Sequence, residues 1–512
     1  MSPTDCRFWS ALFAVTLFLS YPAAAAPCDR PQDPAAAITD CTQSINSGKW
    51  KGRNLAAYHN NRAAAYHEQG DNDRAIADYN EAIRLDPERA LAFLGRGIAF
   101  SDKGDNDRAI ADFSELIRLD PRFARGFLSR GIAFGDKGDT DHAIADFNEA
   151  IRLDPKDASA FNVRALAYQK KGDSDHAIAD LSEAIRLDPR DGGAFKSRGM
   201  VFTDKGDTDR AVADFSEAIR LDPQDAGAFE GRAIAYRRKS DFDRAIADFS
   251  EAIRLDPKDA RAFVGRGGVF GYKGDFERAI ADYSDAIRIR PRDADAFKSR
   301  GDAYREKGDP DRAIADLSEA IRLDPKDAFT FIGRGRVFSY KGDSERAVAD
   351  YNEAIRLNPK SALAYFVRGR SYFFAGSVEK ALADLEQASA LAPKEAYVAL
   401  WVDIVSRRNN LPSRLEQASS RIDMTVWPAP VVRLFMDQTT PAAVLAAAED
   451  SEATRKKGRV CAANFYGGEL SLLKGLKDEA ARLFRLAASD CPHRFSERGE
   501  ANAELKALGV AP

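Results

Sequence analysis

The residues of this 512-residue chain that could do chemistry are five histidines, repeated acidic pairs and five cysteines. The chain contains a repeated sequence motif, and His142 and His176 occupy a position that is arginine in most other copies of it. No histidine has a candidate nucleophile or a set of metal ligands beside it. Acidic pairs such as Asp71 and Asp73 lack the glycine and the distal glutamate of a calcium loop, and they are typical of helix capping. These patterns predict no catalytic residue, no metal and no cofactor, and we expect that the protein is not an enzyme.

Four of the cysteines form two pairs that are close in sequence, Cys28 with Cys41 and Cys461 with Cys491. Cys6 lies in residues 1–26, where one arginine, an apolar run and several alanines are typical of a secretory signal peptide. Cleavage would leave an even number of cysteines in an oxidising compartment, which predicts two disulfides and a periplasmic or secreted protein. A zinc site is the alternative, although the chain has no CxxC or HxxxH spacing.

The charge of the chain is balanced, with 76 basic and 80 acidic residues and a formal net charge of −4. Both signs are spread evenly along the sequence, which gives no support to a nucleic-acid partner or a polybasic membrane contact. With the signal removed, we expect no integral membrane segment. A chain of this length is too long for one compact core unless that core is linear.

One phrase, written DRAIADFSEAIRLDP at residues 243–257, recurs every 34 residues and defines ten units over residues 56–395. In each unit the eighth residue is glycine or alanine and the eleventh is aromatic, so both lie on one face of a helix. A second helix repeats the pattern after a turn glycine, which only Ser240 replaces, and a proline ends it. Each unit is predicted to be an antiparallel helix pair that buries its apolar face by stacking on its neighbours.

Two charged columns do not vary across the ten units, an arginine at the seventh position and an aspartate at the twenty-third. Each borders an apolar stripe, so we predict that they pair across the helix interface as a ladder of partly desolvated ion pairs. The alternative is a surface pair one helical turn apart, such as Arg244 with Asp248, worth about 0.3–0.5 kcal/mol. The column of Arg244 also holds His142, His176 and Lys380, which favours the ladder.

The 34-residue period, with small residues at the eighth, twentieth and twenty-seventh positions and proline at the thirty-second, resembles that of tetratricopeptide repeats. The resemblance implies an all-α solenoid, a right-handed superhelix of antiparallel helix pairs. It also implies a groove that is lined by the second, fifth, ninth, twelfth and thirteenth positions of the first helices and binds protein or peptide segments. The lysine and asparagines of the family's chaperone-tail clamp are absent here, so the resemblance does not imply that mode of binding.

The groove positions differ from unit to unit, and we predict that they contact the partner. They are apolar near the start, charged in the middle, and a mixture of arginine and aromatic residues towards the end. The alternatives are a solvated surface for the middle residues and packing under the following segment for Phe366 and Phe373. The predicted partner-binding residues are Leu94, Leu128, Glu230, Arg237, Arg238, Lys298, Asp302, Arg305, Arg336, Tyr340, Phe366, Arg370 and Phe373.

Segments on both sides of the repeats are predicted to close the stack. Residues 27–55 form an N-terminal cap that Cys28 staples, and residues 396–460 form a helical connector. Residues 461–512 contain an eleventh repeat-like unit and a C-terminal helix. In the register of that unit, Cys461 and Cys491 fall at ends of the helix pair that lie side by side, which predicts their bond.

Residues 395–509 resemble the C-terminal half of NlpI-type periplasmic repeat lipoproteins. The matching words include ALW at residues 399–401 and NFYGGELSLLKG from Asn464. The resemblance implies an adaptor that holds cell-wall hydrolases or a protease in the periplasm, and hence a part in cell-envelope or peptidoglycan maintenance. This chain has a longer repeat array and no lipidated cysteine. Trp401, Asn464, Phe465 and Tyr466 are expected to be packing residues.

The function that these patterns favour is a secreted or periplasmic scaffold or adaptor that binds protein or peptide segments without catalysis. The aromatic residues and arginines of the groove leave an alternative, a binder of carbohydrate or cell-wall polymer. Because the units are nearly identical, pairing between two copies is also possible, which would give a homodimer.

Overall fold

A computed structural model describes Cys28, residues 33–491 and residues 496–511. The predicted signal peptide, residues 1–26, lies outside the described residues, as does His493. The described residues form 28 helices and no strand. The all-α prediction is therefore confirmed. The chain divides after Asp241 into two compact units.

The first unit ends at Asp241 and begins with a capping helix, α1 (Pro34–Asn46). The first helices of its repeats are α2 (Gly52–Glu68), α4 (Ala90–Asp102), α6 (Ala124–Asp136), α8 (Ala158–Lys170), α10 (Gly192–Lys205) and α12 (Ala226–Arg238). They alternate with the second helices α3 (Asn72–Leu85), α5 (Asn106–Leu119), α7 (Thr140–Leu153), α9 (Ser174–Leu187) and α11 (Thr208–Leu221).

The second unit starts at Phe242. Its repeat helices are α13 (Phe242–Leu255), α14 (Ala260–Tyr272), α15 (Phe276–Ile289), α16 (Ala294–Lys307), α17 (Pro310–Leu323), α18 (Ala328–Tyr340), α19 (Ser344–Leu357), α20 (Ala362–Phe374) and α21 (Val378–Leu391). The helices that follow are α22 (Ala396–Arg408), α23 (Leu415–Ser419), α24 (Ala429–Phe435), α25 (Pro441–Ala447), α26 (Ala453–Leu473), α27 (Lys477–Asp490) and α28 (Ser496–Ala507).

The turns between helices use aspartate and glycine. Asp71 accepts a hydrogen bond of 3.0 Å from the backbone N–H of Arg74 and so caps α3. The turn glycines before the second helices take φ between 76° and 85°, the left-handed region that glycine enters without strain. Ser240 takes φ 60° at the same place, because the turn requires this conformation whatever residue occupies it.

The small and aromatic columns meet inside the helix pairs. A Cβ added to Gly335 would lie 2.5 Å from the ring of Tyr351 in the same repeat. A Cβ on Gly265 would lie 2.4 Å from the ring of Phe249 in the preceding repeat. The aromatic side chain thus fills a slot between two close helix backbones, which is why the eighth position is always small.

The predicted arginine–aspartate ladder is confirmed in the nine pairs whose members lie in the same compact unit. In each pair the Nε and Nη2 groups of the arginine donate to the two carboxylate oxygens of the aspartate. The aspartates are buried, with 5–7% of their surface exposed. The pairs are Arg62–Asp78, Arg96–Asp112, Arg130–Asp146, Arg164–Asp180, Arg198–Asp214, Arg266–Asp282, Arg300–Asp316, Arg334–Asp350 and Arg368–Asp384.

In six repeats the arginine that follows the capping aspartate pairs with that cap, a different kind of partner from the one that the alternative proposed. Arg278 pairs with the cap Asp275 at 2.5 Å, and its guanidinium lies 4.3 Å from the ring centre of Phe270. His142 and His176 occupy the same column and stack on an aromatic ring in the same way, at 5.1 and 4.9 Å. These two histidines are therefore parts of the repeat turn.

Both predicted disulfides are present. Cys28 is bonded to Cys41 of α1, with their Cα atoms 5.2 Å apart. Cys461 of α26 is bonded to Cys491 after α27, with a Cα separation of 5.1 Å. The zinc alternative is therefore wrong for these four cysteines.

Candidate partner-binding surface

The first helices expose their groove positions unevenly, and two predicted apolar contacts are buried. Leu94 of α4 is 2% exposed and Leu128 of α6 is 4% exposed. Leu128 lies in a buried cluster with Ile132 and with Val163 of α8, the first helix of the next repeat. Neighbouring first helices pack together at this position. The prediction that Leu94 and Leu128 contact a partner is therefore wrong.

Polar residues at the same position bind the cap of the next repeat. Lys196 donates to Asp225 at 2.6 Å, and Lys298 donates to Asp327, the cap of α18, at 3.1 Å. Lys298 also donates to Asp295 at 2.8 Å. Although burial opposes its charge, these two carboxylates raise the pKa of Lys298. Lys298 therefore links two repeats, and its contact with a partner stays a prediction.

The charged residues of α12 remain accessible in the first unit. Glu230 and Arg237 are half-buried and Arg238 is exposed. The Nη1 group of Arg238 donates to the backbone carbonyl of Thr203 in α10, which fixes the side chain across the neighbouring first helix. Their role in binding a partner stays a prediction.

Arg305 of α16 is held by its own helix. It pairs with Asp302 at 2.8 Å and with Glu306 at 3.0 Å, and only 20% of its side chain is exposed. The charges of Arg305 and Asp302 thus compensate each other at the surface, and neither presents a single-signed patch to a partner.

The aromatic residues at the end of α20 are covered by the segment that follows. The ring of Phe373 lies 5.7 Å from that of Trp401 in α22, and the ring of Phe374 lies 5.8 Å from it. Trp401 is fully buried, and Phe366 packs against the same cluster. Phe366 and Phe373 thus pack under the next segment, as the alternative proposed, and because both are only partly buried their contact with a partner stays a prediction.

The C-terminal helix covers the last arginine of the predicted surface. Arg370 of α20 forms an ion pair with Glu500 of α28, and both side chains are largely buried. Gly499 of α28 lies beside the ring of Tyr340. Arg370 is therefore paired within the chain, and α28 occupies part of the face that was assigned to a partner.

A buried ionic cluster anchors α28 from its other end. Arg408 of α22 donates to Glu504 of α28 at 2.9 Å and to Glu469 of α26 at 2.6 Å. Burial raises the pKa of Glu469 to about 8, with Arg408 opposing the rise and Glu504 adding to it. Because removal of one member leaves the others buried without compensation, this cluster ties α28 firmly to α22 and α26.

The most exposed large apolar side chains of the second unit's repeats lie at two positions of their first helices. Tyr272 of α14 and Tyr340 of α18 are 73% and 43% exposed at the thirteenth position. Phe329 of α18 and Leu363 of α20 are 66% and 42% exposed at the second position. Of these, the sequence prediction included only Tyr340. The other three could have been found from the sequence, because each is a large apolar residue at a repeat position that mostly holds polar or small residues in the other repeats.

Family models match most of the repeated region. A model described as "Tetratricopeptide repeat" matches residues 94–158, 128–192, 162–226, 230–270, 267–328 and 332–396, and one described as "TPR repeat" matches residues 63–104. These matches cover more than half of the chain. The chain belongs to the tetratricopeptide repeat (TPR) family. The resemblance of the ten units is thereby confirmed, and the stacked helix pairs are a TPR solenoid.

The TPR chain is also similar to solved structures. One is YrrB, titled "a TPR protein with an unusual peptide-binding site", at 23% identity over 36% of this chain and 95% of that one, with a TM-score of 0.31. A TPR protein from Parabacteroides merdae is 18% identical over 48% of this chain and 98% of that one, with a TM-score of 0.41. Yeast Tom70 is 16% identical over 79% and 96%, with a TM-score of 0.40. No curated protein matches the chain.

Burial shifts the pKa values of Asp136 and Arg336, which both lie on first helices of the repeats. Burial raises the pKa of Asp136, at the end of α6, to about 6, although Lys170 of α8 opposes the rise. Burial, together with the charge of Arg305, lowers the pKa of Arg336 in α18. Each charged form is thus held in a partly desolvated place on a first helix.

Among Cys28, residues 33–491 and residues 496–511, no group of three histidine, cysteine or acidic residues is arranged to hold a metal ion. No helix in the same ranges is long and apolar enough to cross a membrane.

Proposed function

We propose that this TPR protein is a secreted, non-catalytic scaffold that binds a segment of another protein on the first helices of its second unit. TPR proteins bind protein or peptide partners, which supports the class of function. The observation that carries the site is the exposure of Tyr272, Phe329, Tyr340 and Leu363 on α14, α18 and α20. Full burial of one such side chain contributes about 1.5–3 kcal/mol, so together they could anchor a partner.

The proposed location outside the cytoplasm has two supports. Residues 1–26 have the composition of a secretory signal peptide. Both cysteine pairs are disulfide-bonded, and such bonds persist in oxidising compartments. Cell-wall hydrolases or a periplasmic protease are candidate partners, and their only support is the resemblance of residues 395–509 to NlpI-type lipoproteins.

The proposal can be tested by retention of partners on the immobilised mature chain. Extract from the periplasm and the medium is passed over the wild-type chain and over a variant with Tyr272→Ser and Phe329→Ser. A matched control carries Val426→Ser and Leu476→Ser, since these side chains are 54% and 55% exposed but lie outside the first helices. Soluble glycan fragments are added in a parallel run to compete for binding.

We expect a protein that the wild-type chain and the control retain and that the first-helix variant loses. Retention of the same proteins by all three chains would contradict the proposed surface. Loss of retention when glycan fragments are added would instead favour the carbohydrate-binding alternative.

A further inference from the structure

A pocket of about 390 Å³ lies where the last repeats meet the C-terminal helix. Its lining includes Arg305, Arg336 and Arg370, the rings of Tyr397 and Tyr466, and two carboxylates, Glu306 and Glu497. The three arginines come from α16, α18 and α20, the first helices of three successive repeats. Their convergence on one space is a property of this end of the solenoid and not of the repeat.

The arginines of the pocket are additions to the repeat pattern. Arg336 and Arg370 occupy the ninth position, which in the other eight repeats holds alanine, isoleucine, leucine, methionine, glycine or aspartate. The frame therefore does not require a cation here. Arg370 is explained in part by its ion pair with Glu500, but Arg336 needs another explanation, because burying a charge in a place that tolerates an apolar side chain costs free energy.

The positive charge of the pocket has unused hydrogen-bonding capacity. Arg305 is paired with Asp302 and Glu306, and Arg370 with Glu500, yet the Nε groups of Arg305 and Arg370 are buried without a hydrogen-bond partner among the described residues. The proximity of Arg305 and the burial both lower the pKa of Arg336. A bound carboxylate would reverse that effect, and the planar guanidinium matches its two oxygens.

The rest of the lining combines aromatic rings with negative charge. Tyr397 and Tyr466 are stacked with their ring centres 5.7 Å apart, and Phe366 lies under Arg370 at 5.0 Å. Glu497, in the first turn of α28, interacts electrostatically with Tyr397, Tyr466 and Arg370. The pocket therefore offers guanidinium groups, aromatic rings and the carboxylate of Glu497 within one small volume, while its other carboxylate, Glu306, is paired with Arg305.

We propose that this pocket binds a free amino acid with an apolar side chain, whose carboxylate lies against Arg336 and whose ammonium group faces Glu497. The apolar side chain would lie along Tyr397 and Tyr466. The volume, at the low end for small-molecule sites, suits a ligand of this size. This inference does not rest on the proposed protein partner, since its residues differ from the exposed residues Tyr272 and Phe329.

The test measures the binding of four probes to the full mature chain: L-phenylalanine and three relatives that each differ from it at one charged group. L-phenylalanine carries both charges, 3-phenylpropionate lacks the ammonium group, and phenethylamine lacks the carboxylate. N-acetyl-L-phenylalanine mimics the C-terminal residue of a peptide and distinguishes that source from a free amino acid. Binding is measured by titration calorimetry and by the shift of melting temperature, at probe concentrations up to about 10 mM.

Single substitutions test the proposed contacts of the carboxylate and of the ammonium group. Arg336→Leu should fold, because the same column holds Leu166, and we expect it to weaken L-phenylalanine binding at least about tenfold. Arg336→Lys keeps the charge and should bind more weakly than wild type while folding normally. Glu497→Gln should remove the preference for L-phenylalanine over 3-phenylpropionate. Arg261→Ala, an exposed arginine of α14, is the control and should bind as wild type does.

Three results would overturn the inference. They are the absence of saturable binding of L-phenylalanine to the wild-type chain, equal affinity of the wild-type chain for the amino acid and for 3-phenylpropionate, and unchanged affinity in Arg336→Leu. Preference for the N-acetylated probe would contradict a free amino acid as the ligand and indicate a peptide end.

Discussion

Arg266 holds Asp282 with two parallel hydrogen bonds, Nε to Oδ2 at 2.9 Å and Nη2 to Oδ1 at 2.8 Å. Its third group, Nη1, donates at 2.9 Å to Ser250 of the preceding repeat. One guanidinium therefore ties together the two helices of its own repeat and the second helix of the repeat before. The same arrangement recurs along the solenoid, so a single arginine column provides both the fold of each unit and its register on the next.

Replacement of Arg266 by methionine should destabilise the second unit by about 3 kcal/mol, because Asp282 would stay buried with its charge uncompensated. The measurement is the free energy of unfolding by urea. Arg254→Met is the matched control, since Arg254 belongs to an exposed surface pair with Glu251 and should change stability little. Equal stability of Arg266→Met and the wild-type chain would show that the ladder does not stabilise the repeats.

Substitution by alanine at two adjacent glycines of α26 should change the stability of the protein in opposite directions. A Cβ on Gly468 would lie 2.7 Å from the ring of Phe484, whereas a Cβ on Gly467 would meet only Leu483, at 3.4 Å. Gly468→Ala should therefore cost about 1–3 kcal/mol through overpacking. Gly467→Ala should stabilise the helix by up to about 1 kcal/mol, because alanine has the higher helix propensity. The melting temperatures of both variants test this prediction. If both rose or both fell relative to the wild-type chain, contact of the added Cβ with Phe484 would not explain the result.

The repeat frame could be predicted from the sequence because each column has one physical role in every copy. The aspartate at the twenty-third position never varies, and this identified its partner as the equally constant arginine and not Arg244. The helix boundaries were less predictable at the ends of the array. There α2 begins at Gly52 and α26 at Ala453, before the repeat register starts, because no repeat turn precedes either helix.

The candidate surface was harder to predict because some residues at groove positions also hold neighbouring repeats together. Lys298 was assigned to a partner, yet it binds Asp327, the cap of the next repeat. Arg370 is paired with Glu500, a residue far away in the sequence and outside any repeat, so no column indicated it. Variation between repeats therefore identifies residues that the frame does not require, but only the three-dimensional packing shows which of them remain exposed.

Removal of the C-terminal disulfide should weaken the last helix pair. Changing both Cys461 and Cys491 to serine opens a loop with a sequence separation of 30 residues, for which chain entropy predicts a loss of about 3–4 kcal/mol. The loss is measured as a lower melting temperature under oxidising conditions. A variant in which Cys28 and Cys41 are serine, compared with and without reductant, should reproduce it, because only the Cys461–Cys491 bond is then reduced. If the variant without Cys461 and Cys491 had the same melting temperature as the oxidised wild-type chain, the bond would add nothing to the stability of α26 and α27.

Asp136→Asn should stabilise the protein in a manner that depends on pH. Burial raises the pKa of this carboxyl to about 6 from 3.8, and its Oδ1 atom is buried without a hydrogen-bond partner among the described residues. The folded chain therefore keeps a proton that the unfolded chain releases between these two values. The free energy of unfolding consequently falls as the pH rises through this window, and the penalty persists above it.

The asparagine variant carries no charge at any pH, so its advantage over the wild-type chain should be absent near pH 4, grow to about pH 6 and stay constant above. Melting temperatures of both chains across this range give the comparison. Asp204→Asn is the control, because Asp204 occupies the same repeat position in α10 but is exposed. An advantage of Asp136→Asn that is already complete at pH 4 would mean that packing or helix propensity, and not the buried charge, causes it.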